Sequence, residues 1–384
     1  MKIEFCDLRR IHEKSEKEIE ESIKNVLRHG KFINGPEVAK LEEKLAKFIG
    51  VEYAIGLNSG TDALLASLIA LNVGRGDYVI TTSFSFFATA SVISFLGAIP
   101  IFVDIDQKTY NLSAHNLEEF LKNPQDGFGE KVPLKKIKAI IVVDIFGQCA
   151  DYEKILEISR KNNLSVIEDG AQSFGAKRLD KNACSFGDLS TTSFFPAKPL
   201  GGYGDGGMVF TKDKELALRI REIRNHGQSE RYEHNSLGLN MRLDSLQAAV
   251  LLAKFTRFSE KEIEERNKVA RTYNEKLKTL KNIVPPFVEE SNTSVWAQYS
   301  ILVNERDKLR GYLKEKGIPT AIHYPKPLHL QKVFEYLGYK EGDFPIAENV
   351  SKKIISLPMD PLKSEEEISF IVSEIKGFYN NSFQ

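Results

Sequence analysis

Along this 384-residue chain, apolar positions first recur at helical spacing and then form short continuous runs. Residues 19–27 and 38–48 each carry apolar side chains on one helical face, which predicts two amphipathic helices. Helix-length segments then separate five apolar runs, at residues 78–80, 100–103, 139–143, 165–167 and 208–210. Near-continuous apolar strands divided by helices are typical of a mainly parallel sheet covered on both faces.

The pattern changes near residue 250, where long charged helices replace this alternation. Apolar spacing predicts helices over 246–255, 261–280, 308–316 and 365–378, and strands over 298–303 and 320–322. We therefore expect an α/β fold in two parts. Residues 1–250 would form a large domain with the N-terminal helices, and residues 251–384 a smaller C-terminal α+β domain.

Charge and cysteine content narrow the functional classes. The 53 lysines and arginines balance 53 acidic residues, so bulk electrostatics favours neither nucleic acid nor an anionic membrane as a partner. Cys6, Cys149 and Cys184 show no CxxC spacing, which argues for a reducing compartment and against a disulfide framework or a zinc site. With no apolar run long enough for a bilayer, we expect a cytoplasmic protein without a metal.

Two ionisable residues follow strand-like runs. Asp169 comes just after the run 165–167, at what would be the carboxyl end of a strand, where open α/β sheets bind ligands. Lys198 follows the β-prone run 190–195 and precedes a glycine-rich segment that would let the backbone approach a ligand closely. A helix cap and a solvated lysine are the ordinary alternatives. With Ser193, however, they supply the carboxylate, amine and hydroxyl that pyridoxal phosphate (PLP) chemistry needs.

The segment 58–65, Asn-Ser-Gly-Thr-Asp-Ala-Leu-Leu, opens a predicted helix that runs to about residue 71. Unpaired N–H groups at a helix start can bind phosphate, although a plain N-cap is the alternative. The chain has neither a GxxxxGKS/T segment nor a GxGxxG segment after a strand, which argues against the common nucleotide-binding motifs.

Five segments of this chain resemble, in order, the motifs of the nucleotide-sugar aminotransferases of the DegT/DnrJ/StrS type. They are residues 58–64, 168–172, 193–198, 204–207 and 240–249. The resemblance covers nearly the whole chain. It implies the type I PLP-dependent fold of aspartate aminotransferase and a homodimer with active sites at the subunit interface. It also implies L-glutamate and a nucleotide sugar as substrates, PLP as cofactor, and pyridoxamine phosphate as its intermediate form.

The resemblance assigns catalytic roles to Lys198, which would bind PLP through a Schiff base and shuttle a proton, and to Asp169, which would pair with the pyridine nitrogen. Gln172 would lie near the phenolic oxygen of the cofactor. Phe86 would stack on the ring, which leaves the neighbouring Phe84 and Phe87 for the core.

Further cofactor contacts are implied at the phosphate. Gly60, Thr61 and Ser193 would bind it from the same chain, and Asn240 would reach it from the neighbouring subunit. Arg242, His323, Tyr324 and His329 would bind substrate, with a surface histidine as the alternative for His329.

Residues 224–228, 231–232, 238–244 and 322–325 look most like family members that aminate C3 of a UDP-linked 3-keto sugar of the 2-acetamido-2-deoxy-3-oxo-glucuronate type. Such a product would feed lipopolysaccharide O-antigen or another surface polysaccharide. Amination of a dTDP-3-keto-6-deoxyhexose or of a C4 keto sugar is the alternative. A non-catalytic PLP-fold regulator or binding protein is the alternative from another class.

Overall fold

The computed structural model describes residues 2–230 and 232–381, so Arg231 lies outside the described residues. Three helices precede the first strand: α1 (Leu8–Glu13), α2 (Glu16–His29) and α3 (Pro36–Ile49). Helices α2 and α3 are the two predicted amphipathic helices. Each ends at a glycine with positive φ, Gly30 at 69° and Gly50 at 85°, a conformation that glycine adopts without a steric penalty.

A seven-stranded sheet forms the centre of the fold. Its strands are β1 (Tyr53–Leu57), β2 (Tyr78–Thr82), β3 (Ile99–Val103), β4 (Ile137–Val143), β5 (Ser165–Asp169), β6 (Leu189–Ser193) and β7 (Gly207–Thr211). The spatial order is β1-β7-β6-β5-β4-β2-β3, and only β7 runs antiparallel to its neighbours. The mainly parallel sheet and the α/β class are therefore confirmed, although β1 was not predicted.

Helices cover both faces of this sheet. They are α4 (Gly60–Ala70), α5 (Ala88–Phe95), α6 (Ala114–Lys122), α7 (Tyr152–Lys161) and α8 (Lys214–Ile223). The central strand β4 demonstrates the two-sided burial. Ile140 and Val142 pack into one apolar cluster, Ile141 packs into another, and all three are fully buried. This explains the continuous apolar run in the sequence.

The C-terminal part begins with α9 (Ser245–Arg257), which continues through the π-helical turn Phe258–Glu262 into α10 (Ile263–Leu277). A second, antiparallel sheet follows, with the order β8-β9-β10. Its strands and helices are β8 (Ile283–Val284), β9 (Tyr299–Val303), α11 (Arg306–Glu315), α12 (Pro345–Lys353), β10 (Ile354–Leu357) and α13 (Glu365–Asn381). The strand predicted at 320–322 is only an isolated bridge between Ala321 and Ser356, so that prediction was wrong.

The two parts of the chain are joined at two places. Residue 250 lies inside α9, and the N-terminal Ile3 packs into the core of the second sheet. The division into domains 1–250 and 251–384 therefore stays a prediction. None of the helices in residues 2–230 and 232–381 is long and apolar enough to cross a bilayer, and the cytoplasmic location also stays a prediction.

Candidate active site

A cavity of about 490 Å³ opens at the carboxyl ends of β5 and β6. Ligands bind at this edge of open α/β sheets. The cavity brings together nine of the twelve candidate residues: Gly60, Thr61, Phe86, Asp169, Gln172, Ser193, Lys198, His323 and Tyr324. Residues far apart in sequence meet here because several strands and their connections end at the same edge.

Lys198 is held in a tight loop that follows β6. The Lys198 N–H donates to the Phe195 carbonyl at 2.8 Å, and the Gly202 N–H donates to the Phe194 carbonyl at 2.7 Å. A Cβ at Gly201 would lie 2.2 Å from the Pro196 carbonyl oxygen, so the loop can close only around a glycine. Burial lowers the pKa of Lys198, and the charge of Asp169 partly opposes this shift. The amine is therefore more readily neutral, as a nucleophile must be.

Asp169 lies at the end of β5 and is 6% exposed. Its carboxylate accepts hydrogen bonds from the Thr89 hydroxyl at 3.0 Å and from the Ala171 N–H at 3.3 Å. Burial raises the pKa of Asp169, while these two bonds and the positive charge of Lys198 lower it. A buried carboxylate in such a setting favours a cationic partner, which a protonated pyridine nitrogen would supply.

A hydrogen-bonded wall closes another side of the cavity. The Gln172 side chain accepts from the Phe146 N–H at 2.8 Å and donates to the Tyr324 hydroxyl at 3.2 Å. His323 Nδ1 lies 2.8 Å from the Ser356 hydroxyl. Burial, together with the charge of Lys198, lowers the pKa of His323 to about 4, so this imidazole is neutral near pH 7.

The start of α4 forms an anion site beside β6. Ser59 caps the helix by accepting from the Asp62 N–H at 3.0 Å. A Cβ at Gly60 would lie 2.7 Å from the Ser193 Cβ, so only glycine lets the helix start approach this serine. The N-terminal N–H groups of α4, Thr61 and the Ser193 hydroxyl thus surround one corner of the cavity, which suits a phosphate.

Phe86 offers an aromatic face to the cavity. It is 56% exposed, and its ring centroid lies 6.2 Å from that of Tyr324. Phe84 is buried, as expected of a core residue. The same expectation for Phe87 was wrong. Phe87 is 43% exposed and packs on the Phe334 ring from the N-cap position just before α5.

Three candidates do not line the cavity. Asn240 is exposed and forms a bridge with Asn225, whose side chain also accepts from Arg242 at 2.8 Å. His329 is 1% exposed, and its Nε2 lies 3.1 Å from a Glu348 carboxylate oxygen. His329 therefore lies neither at the cavity nor at the surface, the two positions expected for it. It is buried between Glu348 and the Phe344 ring.

Five further polar residues line the cavity and were not among the candidates: Ser59, Ser85, Thr89, Asp205 and Gln298. Ser85 and Thr89 are bonded to each other at 2.9 Å and so extend the hydrogen-bond chain of Asp169. Their spacing of four residues, next to Phe86, was the available sequence signal. Gln298 could be placed only once the second sheet was known.

The cavity fits PLP in its chemistry. Lys198 supplies an amine, Asp169 a carboxylate for the ring nitrogen, the start of α4 an anion site, and Phe86 an aromatic face. These are the groups that bind and activate this cofactor.

Lys254 contacts the loop that carries Lys198. This lysine of α9 is 8% exposed, donates to the Gly201 carbonyl, and lies 5.3 Å from the Tyr203 ring centroid. We expect Lys254→Met to weaken PLP binding about tenfold, because a charged hydrogen bond that fixes the loop is lost. Titration with PLP, followed by absorbance, measures the change.

Lys363 provides a matched control for this variant. It is a fully buried lysine that donates to the Glu4 carbonyl at 2.9 Å and pairs with Asp360 at 3.0 Å. Lys363→Met leaves a buried carboxylate unpaired, which costs about 3–5 kcal/mol of stability, but it should not change PLP affinity. An equal loss of affinity in both variants would mean that Lys254 has no specific role.

Asp144 lies behind Asp169 and is fully buried. It accepts hydrogen bonds from the Tyr152 and Ser173 hydroxyls at 3.0 and 2.8 Å. Burial, and then the charge of Glu168, raise its pKa well above the usual value. Since the folded-state pKa exceeds the unfolded one, the stability that protonated Asp144 contributes is full below the unfolded-state pKa and is lost as the pH rises from there to the folded-state pKa.

We therefore expect Asp144→Asn to melt at a higher temperature than wild type at alkaline pH. The difference should shrink as the pH falls toward about 4, the ordinary pKa of an aspartate, because Asp144 of the unfolded chain then keeps its proton as well. Thermal unfolding measured across pH checks this. A constant difference at all pH values would contradict the raised pKa.

Known proteins match this chain along nearly its whole length. The sequence model of the DegT/DnrJ/EryC1/StrS aminotransferase family matches residues 13–376. The chain is 44% identical to the UDP-2-acetamido-2-deoxy-3-oxo-D-glucuronate aminotransferase of Pseudomonas aeruginosa, across 97% of this chain and 99% of that protein. It is also 43% identical to the pleiotropic regulatory protein of Geobacillus stearothermophilus, across 99% of this chain and all of that protein.

A solved structure agrees with the fold. The S. venezuelae protein DesV, crystallised in complex with a ketimine intermediate, superimposes with a TM-score of 0.92 at 31% sequence identity. The match covers 98% of each chain.

Proposed function

Since this chain belongs to the DegT/DnrJ/EryC1/StrS aminotransferase family and is a PLP-dependent sugar aminotransferase, we propose that it transfers the amino group of L-glutamate to C3 of a UDP-linked 3-keto sugar. The sugar would be of the 2-acetamido-2-deoxy-3-oxo-glucuronate type, and the product would serve O-antigen or another surface polysaccharide. The main support is the 44% identity to a C3 aminotransferase across 97% of the chain.

PLP, when bound, supplies a cationic ring that accepts the electron pair released when the substrate loses a proton. Lys198 holds the cofactor through its amine and, once free, moves the proton at the reacting carbon. Asp169 keeps the ring nitrogen protonated, helped by its hydrogen bond from Thr89. The lowered pKa of Lys198 suits both tasks, because a neutral amine can act as nucleophile and as base.

Other residues bind and orient the cofactor and the substrate. The start of α4 and Ser193 would bind the cofactor phosphate, and Phe86 would offer its ring to the aromatic cofactor. His323 and Tyr324 face the substrate as neutral groups, since His323 has a pKa of about 4. Arg242 would bind a carboxylate of the donor or the sugar.

We also propose a homodimer in which Asn240 serves the partner's cavity. Asn240 is exposed on the single chain, and its neighbours Leu237 and Leu239 are 93% and 49% exposed. Exposed apolar side chains of this kind favour burial against a second copy.

A mixture of two inactive variants tests this arrangement. Lys198→Ala and Asn240→Ala should each be nearly inactive alone. After mixing under conditions that exchange subunits, each heterodimer should hold one site with both residues intact, and activity should return. If Asn240 acts within its own chain, the mixed sample should stay as inactive as the separate variants.

A regulatory protein is the second candidate, because the Geobacillus stearothermophilus relative carries that name at 43% identity. The Lys198 and Asp169 arrangement favours an enzyme, since a regulator needs no group that moves a proton. The visible spectrum of the PLP-loaded protein distinguishes them. Addition of L-glutamate should remove the absorption band of the lysine-bound cofactor, and a UDP-linked 3-keto sugar should restore it. A band that ignores every amino donor would exclude the transaminase.

The sugar preference follows from the second half of the same experiment. Keto sugars that differ in nucleotide and keto position are added to the glutamate-treated protein. We expect a UDP-linked 3-keto sugar to restore the band fastest. Faster recovery with a dTDP-3-keto-6-deoxyhexose or a C4 keto sugar would overturn the substrate assignment and leave the transaminase activity intact.

A further inference from the structure

Gln298 is a polar residue of the catalytic cavity that has no role in the chemistry described above. It lines the cavity together with Lys198, His323 and Tyr324, and it also borders a smaller neighbouring cavity. It directly precedes β9. It therefore reaches the wall of the catalytic cavity from the start of the second sheet.

The surroundings of Gln298 fix its position. The adjacent Tyr299 is fully buried, and its hydroxyl donates to Asn274 at 2.5 Å. Ser300, two residues after Gln298, bonds through its hydroxyl to the Ser356 hydroxyl at 2.8 Å. The Ser356 hydroxyl in turn contacts His323. The start of β9 thus positions both Gln298 and His323 at the cavity.

The Gln298 side-chain oxygen has no hydrogen-bond partner. Oε1 is buried, and no donor within the described residues reaches it. A buried acceptor without a donor costs free energy, and native proteins rarely leave one unsatisfied. At the wall of a binding cavity, the missing donor is naturally supplied by the ligand.

The chemistry of the two substrates decides which one can supply it. An amide oxygen accepts only from N–H or O–H groups. The carboxylates of L-glutamate carry no such group near neutral pH, and its amino group is the one that reacts. The proposed sugar carries two donors directly beside the C3 atom that must reach Lys198, the acetamido N–H at C2 and the hydroxyl at C4, and only the first distinguishes 2-acetamido sugars.

We propose that the Gln298 amide oxygen accepts a hydrogen bond from the 2-acetamido N–H of the sugar and thereby selects 2-acetamido sugars. This rests on the proposed C3 amination. Gln298 is then a specificity-determining residue for the sugar half-reaction.

A double-mutant cycle between enzyme and ligand tests the contact. The enzyme is loaded with pyridoxamine phosphate, so that an amino sugar binds without reacting, and affinities are measured by calorimetry. Wild type and Gln298→Leu are each titrated with a UDP-3-amino sugar that carries either an acetamido group or hydrogen at C2. We expect the variant to bind the acetamido sugar about tenfold more weakly and the 2-deoxy sugar unchanged.

Cofactor binding is the internal control. Gln298→Leu loaded with PLP should show the absorption band of the lysine-bound cofactor, which verifies that the variant folds and binds PLP. Equal weakening for both sugars, or none, would overturn the contact while C3 amination stands. If wild type binds neither amino sugar, the proposed substrate and the contact both fail.

Discussion

Lys198→Ala should lose the glutamate half-reaction by roughly 10⁴-fold or more, because in the proposed mechanism one amine both holds the cofactor and moves the proton at the reacting carbon. No other lysine lines the cavity among the described residues, so no neighbour can take over. Stopped-flow absorbance after mixing the PLP-loaded variant with L-glutamate measures the loss. The absorption band of the lysine-bound cofactor should also be missing.

Lys161→Ala is a suitable control. Lys161 is an exposed lysine at the end of α7 that pairs with Glu157 at 2.7 Å, and its removal should leave the rate unchanged. A Lys198→Ala variant that keeps more than a tenth of the wild-type rate would show that another group performs the proton transfer.

Asp169→Asn should slow the same half-reaction by about 10³-fold while PLP still binds through Lys198. A neutral amide cannot hold the ring nitrogen protonated, so the electron pair released from the substrate is accepted less readily. Loss of one such electrostatic group from an active site typically costs about 10²–10³-fold in rate. Single-turnover kinetics with L-glutamate measure this loss.

The pH dependence of Asp169→Asn gives a second readout. In wild type, the charge of Asp169 raises the pKa of Lys198 against the effect of burial, so its removal should lower that pKa further. Thr89→Val removes the 3.0 Å hydrogen bond to Asp169 and the 2.9 Å bond to Ser85 but keeps the carboxylate charge, and it should slow the reaction about tenfold or less. If Asp169→Asn were no slower than Thr89→Val, the carboxylate charge would not matter.

Local signals were enough to predict most of the candidate residues that line the cavity. Asp169 and Ser193 each end a strand of the parallel sheet, and Lys198 follows in a glycine-rich loop, so their order in the chain already places them at one edge. Gly60 and Thr61 open a helix that was visible as a change from polar to apolar residues. The position of each of these residues depends mainly on the strand, loop or helix that carries it.

Long-range packing explains what the sequence did not reveal. His329 is buried by Glu348, 19 residues away, and nothing near His329 in the chain indicates that pairing. Gln298 reaches the cavity only because β9 pairs with β10. Strand β1 was missed because Gly56 interrupts its apolar run. A Cβ at this position would lie only 3.2 Å from the Leu243 side chain, and that distant residue gives no local signal for a glycine here.

The central claim, transfer of nitrogen from glutamate to C3 of a UDP-linked sugar, is tested most directly by isotope labelling. The enzyme is incubated with ¹⁵N-labelled L-glutamate and UDP-2-acetamido-2-deoxy-3-oxo-glucuronate, and the sugar product is examined by NMR. We predict ¹⁵N bonded to C3 in wild type and no labelled sugar with Lys198→Ala. Unlabelled sugar in the wild-type reaction would contradict the account, as would ¹⁵N at any other carbon.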